Sequence, residues 1–303
     1  MNHDPVFFSI IIPTYNRAEF IGKTIESIRS QQYAGYEIIV IDDGSTDNTE
    51  EIIKKYAAPN FTYVKRQNEE RSAARNFGTT LAKGQYINWF DSDDIMFSNH
   101  LAEANKMIEK YNAPEIFALP FQIQKITGKI LSRNYFPIPT INNKLLEGNY
   151  LACNPVFVRA DIAMIFPFNE DRILSGSEDY ELWIRLSARF PIYCGNTITS
   201  ALIEHGARSM NFTTGNNMLQ RRQLILQYLS QDEIASQNFS EKLYKIEGNL
   251  CLLVSLYFSL ENDKKASIKY LFKSIQKDPS ILFTKRMLAV LKHLIVNNKR
   301  SNG

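Results

Sequence analysis

Three carboxylates fall within four residues in the run Trp89-Phe90-Asp91-Ser92-Asp93-Asp94. At neutral pH such neighbours repel one another, so they must sit in solvent, share a proton or surround a cation. A hard divalent ion, Mg²⁺ or Mn²⁺, takes oxygen ligands and commonly uses one or two carboxylates together with substrate phosphates. By itself the run reads equally as a solvated acidic turn and as such a cation site. A second acid pair, Glu178-Asp179, opens a segment in which Tyr180, Leu182, Trp183, Ile184 and Leu186 recur at helical spacing. Acids at a helix N-terminus are favoured by its dipole, and a carboxylate there can also take a proton from an attacking hydroxyl. His205, with Arg208 and Ser209 after it, is a third polar group, though a lone histidine is more often structural than a ligand.

The elements that must position these residues alternate regularly. Val6 to Ile12, Tyr36 to Ile41, Phe61 to Lys65 and Gln85 to Phe90 are apolar or β-branched runs that read as strands. Between them, 18–32, the stretch through Ile52, Ile53 and Tyr56, and 71–82 carry helical periodicity. Strands buried on both faces and separated by helices predict a parallel sheet covered by helices. In such sheets ligands bind outside the carboxyl ends of the strands. Three polar loops fall there: Pro13-Thr14-Tyr15-Asn16-Arg17, Asp42-Asp43-Gly44-Ser45 and the acidic run. No Gly-x-Gly-x-x-Gly follows the first strand and no Gly-Lys-Ser/Thr loop is present, which removes support for dinucleotide and P-loop binding.

The second half is less regular. Pro114 to Gln124 and Ile126 to Tyr135 read as paired strands around Thr127-Gly128, 136–148 as a loop, Tyr150 to Arg159 as extended, and Ile198 to Ile203 as a strand. From Met218 the period is helical to the end, and the segments 248–260 and 264–276 resemble one tetratricopeptide-type hairpin. The expected division is therefore 1–217 and a helical extension over 218–303.

Taken together, Ser9-Ile-Ile-Ile-Pro-Thr-Tyr-Asn-Arg17, Val40-Ile-Asp-Asp-Gly-Ser-Thr-Asp47, Ala73-Ala-Arg-Asn-Phe-Gly78, Phe90-Asp-Ser-Asp-Asp94 and Ser177-Glu-Asp-Tyr180 resemble the family 2 inverting glycosyltransferases of GT-A fold. The likeness covers residues 6 to 215 and rests on the set of motifs. It implies an α/β, GT-A (Rossmann-like) fold and a nucleotide-sugar donor, with UDP expected. Asp42 then contacts a uracil-type base, with capping of its own turn as the alternative. Pro13, Thr14 and Tyr15 line base and ribose, and Asn16, Arg17, Asp43, Gly44 and Ser45 complete the nucleotide loops. Arg75 pairs with the diphosphate, with Arg71 as a helper or a surface charge, and Ser92 lies within the nucleotide site. Asp93 ligates Mn²⁺ or Mg²⁺, Asp91 reaches the ribose or a metal-bound water, and His205 adds a ligand. Asp94 caps the next helix. Asp179 is the base and Glu178 orients the site. The Gln-x-x-Arg-Trp motif of processive members is absent, since the tryptophans are Trp89 and Trp183. Addition of a single sugar to a glycan or lipid-linked acceptor is expected. A sugar nucleotidyltransferase and a non-catalytic nucleotide-sugar-binding module are the rival readings.

Composition bounds the setting. Of 303 residues, 44% are hydrophobic and 22% charged, as in ordinary globular proteins. The net charge of +3 is uneven: from Met218 onward 14 basic residues face 7 acidic ones, and from Lys264 ten face only Asp278. By charge alone that tail suits a membrane face or a nucleic acid, or is simply solvated, the solvated face being the commoner case. For the C-terminal helices a docking arm on anionic lipid and a packed helix with no membrane role are both open readings, and no nucleic-acid partner is expected. Cys153, Cys194 and Cys251 show neither zinc spacing nor a disulfide framework. No leader or apolar span of the ~20 residues a bilayer needs is seen. A cytoplasmic protein is expected, either free or held on the inner face of a membrane.

Overall fold

A computed structural model describes residues 7–206 and 213–295. The strands are β1 (Phe8–Thr14), β2 (Tyr36–Asp42), β3 (Phe61–Lys65), β4 (Tyr86–Trp89), β5 (Ile95–Met96), β6 (Ile116–Ala118), β7 (Phe121–Lys125), β8 (Ile130–Asn134), β9 (Val156–Arg159), β10 (Ile192–Cys194) and β11 (Ser200–Glu204). The helices are α1 (Ile21–Arg29), α2 (Thr49–Lys54), α3 (Arg71–Leu81), α4 (His100–Lys110), α5 (Asn142–Leu145), α6 (Ala160–Ile165), α7 (Glu178–Ser187), α8 (Gly215–Gln231), α9 (Glu233–Phe239), α10 (Leu243–Leu260), α11 (Lys264–Lys277) and α12 (Lys285–Ile295). They form two compact units. Among the described residues one comprises 7–141, 150–182 and 190–205; the other comprises 142–149, 183–189, 206 and 213–295. The second unit thus draws on two segments earlier in the chain than the expected cut at 217/218.

In the first unit a seven-stranded sheet runs in the order β10-β6-β9-β4-β1-β2-β3. It is parallel except at β9, which is antiparallel to β4 and β6. Ile10, Ile12, Ile38 and Val40 are fully buried with Ile21, Ile25 and Ile28 of α1, which is why these strands read as unbroken apolar runs. The register sets Thr14 beside Asp42 and Asp42 beside Lys65, so the loops after β1 and β2 leave the sheet side by side. On the other face α3 lies close because Gly78 lacks a side chain. A Cβ there would stand 2.4 Å from the Ile11 side chain. A smaller sheet, β5-β11-β7-β8, carries the β7–β8 hairpin with Gly128 in a left-handed conformation (φ +84°) at its turn.

Two strand expectations are corrected. The run 114–124 is not one strand. It breaks after β6, and Leu119-Pro120 passes the chain from the large sheet to the small one; Pro120 has no N–H to continue a ladder. The extended stretch 150–159 is a strand only over β9, and within 136–148 the short α5 forms.

In the second unit α10 and α11 make the expected hairpin, turning at Asn262 (φ +64°). Small residues let them approach: Ser274 Oγ donates to the Gly248 carbonyl at 2.9 Å, and Ser255 Oγ to that of Ser267 at 2.8 Å. Leu252, Leu271, Ile281, Met287 and Val290 close the core with α12. Among the described residues no helix is long and apolar enough to cross a membrane.

Candidate active site

All the residues that follow belong to the first unit. The acidic run leaves β4 with alternating orientation. Ser92 and Asp94 turn inward and are buried, whereas Asp91 and Asp93 face the carboxyl edge of the sheet. Asp94 does not cap a helix, because the strand β5 follows it. Its Oδ1 accepts from the Ile203 N–H at 2.7 Å and its Oδ2 from Asn154 Nδ2 at 2.6 Å. Asn154 Oδ1 in turn accepts from the Asp91 N–H at 2.9 Å. Thr24 Oγ1 of α1 lies 3.0 Å from the Ser92 carbonyl and 2.9 Å from that of Asp94. The loop is therefore clamped between α1, β11 and the segment before β9.

The clamp has a consequence for His205, two residues beyond Ile203. Its ring stacks on Phe20 at 4.3 Å between centroids, and Nε2 reaches Asp93 Oδ2 at 3.1 Å. The same oxygen accepts from Arg17 Nε at 3.2 Å. Asp91 turns the other way and accepts from Arg75 Nη2 at 2.8 Å. The three expected metal residues therefore do not form one cluster. Asp93 and His205 converge, Asp91 is engaged elsewhere, and no group of three metal-binding side chains exists among the described residues. Two protein ligands still suit a hard ion that completes its shell with phosphate and water. Arg208 and Ser209 lie outside the described residues.

Arg75 joins the two acid clusters. Besides Asp91 it donates from Nη1 to Glu178 Oε1 at 2.9 Å, and its guanidinium lies 5.1 Å from the centre of the Phe168 ring. Both partners of the Arg75–Glu178 pair are buried. Burial by itself would raise the Glu178 carboxyl; the charges of Arg71 and Arg75 overcome it and hold it below the usual range. Burial likewise opposes the Arg75 charge, and the anions around it keep it protonated. Arg75 is thus a buried bracket for two carboxylates. Arg71, one helical turn earlier with 32% of its side chain exposed, lies 3.8 Å from Glu178 and is the more open of the two. Asp179, next to Glu178 at the start of α7, is half-buried and accepts from the Tyr180 N–H at 2.7 Å.

The loops after β1 and β2 interlock. The Asn16 N–H donates to Ser45 Oγ at 2.9 Å, and Asn16 Oδ1 accepts from the Thr46 N–H at 2.8 Å. Asn16 itself is left-handed (φ +50°). Gly44 (φ +85°) passes so close to the next loop that a Cβ would meet the Arg66 carbonyl and the Asn68 N–H at 3.2 Å each. Asp42 is wholly buried with both oxygens in use: Oδ1 accepts from the Ser45 N–H at 2.8 Å and Oδ2 from Tyr63 Oη at 2.9 Å. The first of these bonds caps the turn that follows β2. Asp43 accepts from the N–H groups of Glu69 and Glu70, at 2.9 Å each, fixing the entry to α3. Burial raises its carboxyl, against those two hydrogen bonds. On the open side, Tyr15 is exposed, and Thr14 Oγ1 is buried with no hydrogen-bond partner among the described residues. Pro13, the penultimate residue of β1, is buried.

Asn154, Phe20, Phe168 and Tyr63 are the residues that sequence reasoning missed. None sits in a motif, and each acts through a partner far along the chain.

The sequence profile of Glycosyl transferase family 2 matches residues 9–164. Among curated relatives, the glucosyltransferase WfgD of Escherichia coli, which uses UDP-Glc and α-D-GlcNAc-diphosphoundecaprenol, is 30% identical over 60% of this chain and 70% of its own length. The minor teichoic acid biosynthesis protein GgaB of Bacillus subtilis is 33% identical over 54% of this chain and 19% of its own. An uncharacterized glycosyltransferase of Rickettsia bellii is 34% identical over 60% of this chain, which spans about a quarter of that relative's length (26%). S. aureus TarS, solved with UDP-GlcNAc, superposes with a TM-score of 0.70 at 20% identity, over 95% of this chain and 88% of that one. The fold is therefore GT-A with a helical C-terminal region.

Proposed function

Because this chain belongs to glycosyl transferase family 2, we propose that its first unit transfers a single hexosyl or N-acetylhexosaminyl residue, with inversion, from a UDP-sugar to an acceptor hydroxyl. The acceptor is a surface glycan or a lipid-linked oligosaccharide, met on the cytoplasmic face of a membrane. The observation that carries this reading is the Arg75 bracket. One buried guanidinium holds Asp91 and Glu178, so the acidic loop and the acids of α7 serve a single site.

Tyr15 and the interlocked loops around Gly44 line the nucleotide, and Thr14 Oγ1 is a hydroxyl in want of a partner there. Asp42 acts by holding that turn. Arg71, being the more exposed arginine, takes the diphosphate. Asp93 and His205 would hold Mn²⁺ or Mg²⁺ once Arg17 yields the shared oxygen. When bound, the ion offsets the negative charge that develops on the departing UDP. The complex of the Pyrobaculum calidifontis mannosyltransferase PcManGT with GDP-Man and Mn²⁺ supports a metal-assisted donor site, and the names of WfgD and TarS support UDP-sugars.

Asp179 takes the acceptor proton. Its hydrogen bond from the Tyr180 N–H orients the carboxylate at the start of α7. The acceptor oxygen attacks the anomeric carbon from the face opposite the diphosphate, the bond to the diphosphate breaks, and UDP leaves with that electron pair. Glu178, buried and paired, positions Arg75 and the start of α7. The test is UDP release from a panel of UDP-sugars with Mn²⁺, with and without undecaprenyl-diphosphate-linked sugar. Asp179→Asn should abolish transfer with UDP affinity unchanged. Loss of UDP binding in that variant would remove Asp179 from the role of base.

A further inference from the structure

A packed helix needs one apolar stripe, and α12 carries two. Met287 and Val290 are buried in the core of the second unit, with Leu294 packed against them. One residue later at each position, about 100° round the helix, stand Leu288, Leu291 and Ile295. These face solvent, Leu288 at 65% exposure and Ile295 at 79%. Lys285 and Lys292 are exposed along the far border of this second stripe. Helix α11 repeats the pattern: Ser267, Leu271 and Ser274 are buried, Ile268 and Phe272 follow one residue later in solvent, and Lys265, Lys269 and Lys273 come next round the helix. In the turn between the helices, Phe283 is 92% exposed.

A single exposed leucine needs no explanation. The same order of core, exposed apolar stripe and lysines in two successive helices does, and it is the composition of an interfacial helix. Charge selects the occupant. From Lys264 to Ile295 eight basic residues stand against one acid, Asp278, which is buried and caps the following turn through the Ser280 N–H at 3.0 Å. An isologous contact with a second copy would set these lysines against themselves.

We propose that α11, the turn at Phe283 and α12 form a docking face for an anionic lipid bilayer. The apolar side chains enter the boundary between headgroups and acyl chains, and the lysines lie along it with their ammonium groups on lipid phosphates. This goes beyond the transfer reading and needs neither donor nor acceptor. The test is sedimentation of the full chain with vesicles of phosphatidylcholine alone and of phosphatidylcholine mixed with phosphatidylglycerol. The chain should pellet with the mixed vesicles at low salt and be released by high salt. Lys285→Gln and Lys292→Gln should each lower the partition coefficient about fivefold. Phe283→Ser with Leu288→Ser should lower it roughly tenfold or more, with thermal unfolding unchanged as the check on folding. Asp179→Asn should pellet as the parent does, so loss of transfer and loss of docking are separable. Equal pelleting of parent and variants overturns the proposal. So does a dimer in sedimentation velocity that Leu288→Ser dissociates, which would assign the face to a second copy.

Discussion

Replacing Arg75 by Met tests the bracket at the centre of the site. The substitution keeps most of the side-chain length and removes the charge. Glu178 and Arg75 are both buried, at 3% and 2% side-chain exposure, and 2.9 Å apart. Removing one partner of such a pair leaves an uncompensated buried charge, at a cost of about 3–5 kcal/mol. For a unit of this size that is a fall in Tm of roughly 6–20 °C at pH 7. The pH dependence is the sharper part. In the parent the folded-state pKa of Glu178 is depressed, so its contribution is present above the unfolded carboxyl value and is lost as pH falls through the lower folded value. Without Arg75 the folded pKa moves up from the parent's, with Arg71 left as the charge that opposes burial. The gap in stability between parent and variant therefore narrows as pH falls from 7 towards 5. Urea or thermal unfolding of both proteins at the two pH values measures the gap. A gap that stays constant across this range, or is below about 1 kcal/mol at pH 7, refutes the bracket as the force holding Glu178.

Asp94→Asn puts an amide NH₂ against either the Ile203 N–H or the Asn154 amide, because both Asp94 oxygens accept. The variant should lose about 1–3 kcal/mol of stability. Through the displaced Asp93–His205 pair it should also weaken Mn²⁺-dependent UDP binding by roughly tenfold or more, as outer-shell changes do; calorimetry reads the second effect and unfolding the first. Arg17→Gln frees the Asp93 oxygen that Arg17 and His205 share. It should tighten nucleotide-free Mn²⁺ binding up to about fivefold, the worth of a partly exposed ion pair, and weaker binding in the variant would show that Arg17 assists the ion.

The carboxyl-edge loops were legible because their signals are local. Apolar runs of strand length mark β1, β2 and β4, and polar residues follow each run directly. What the acids and arginines do was less legible, because it depends on depth. Arg71 and Arg75 share a face of α3, and sequence spacing cannot say which is buried. The depth is set by Gly78 against Ile11 and by Phe168 beneath Arg75; both contacts join residues far apart in the chain. Asp94 reads as a helix cap only if a helix follows, and β5 follows instead. Pro120 is the one mark in the sequence of the break between β6 and β7, and apolar residues stand on either side of it. Asp42 was legible as a turn-forming residue; that both its oxygens face inward depends on Tyr63, 21 residues away.

Each of the three acids after β4 has partners within the protein that offset the repulsion among them. Ser92 and Asp94 point inward, and Asp94 is met by two donors. Asp91 and Asp93 point outward in different directions, each to an arginine from a different element: Arg75 of α3 and Arg17 of the loop after β1. A cation that took Asp93 would therefore compete with Arg17 for its oxygen. Chelation should consequently leave the Tm of the nucleotide-free protein unchanged within about 1 °C, since a ligand stabilises only in proportion to its occupancy of the folded state. With UDP present, the same chelation should lower it. A large loss of Tm on chelation without nucleotide would mean that an ion, not Arg17, neutralises Asp93 in the resting protein, and the order of events at the site would have to be reversed.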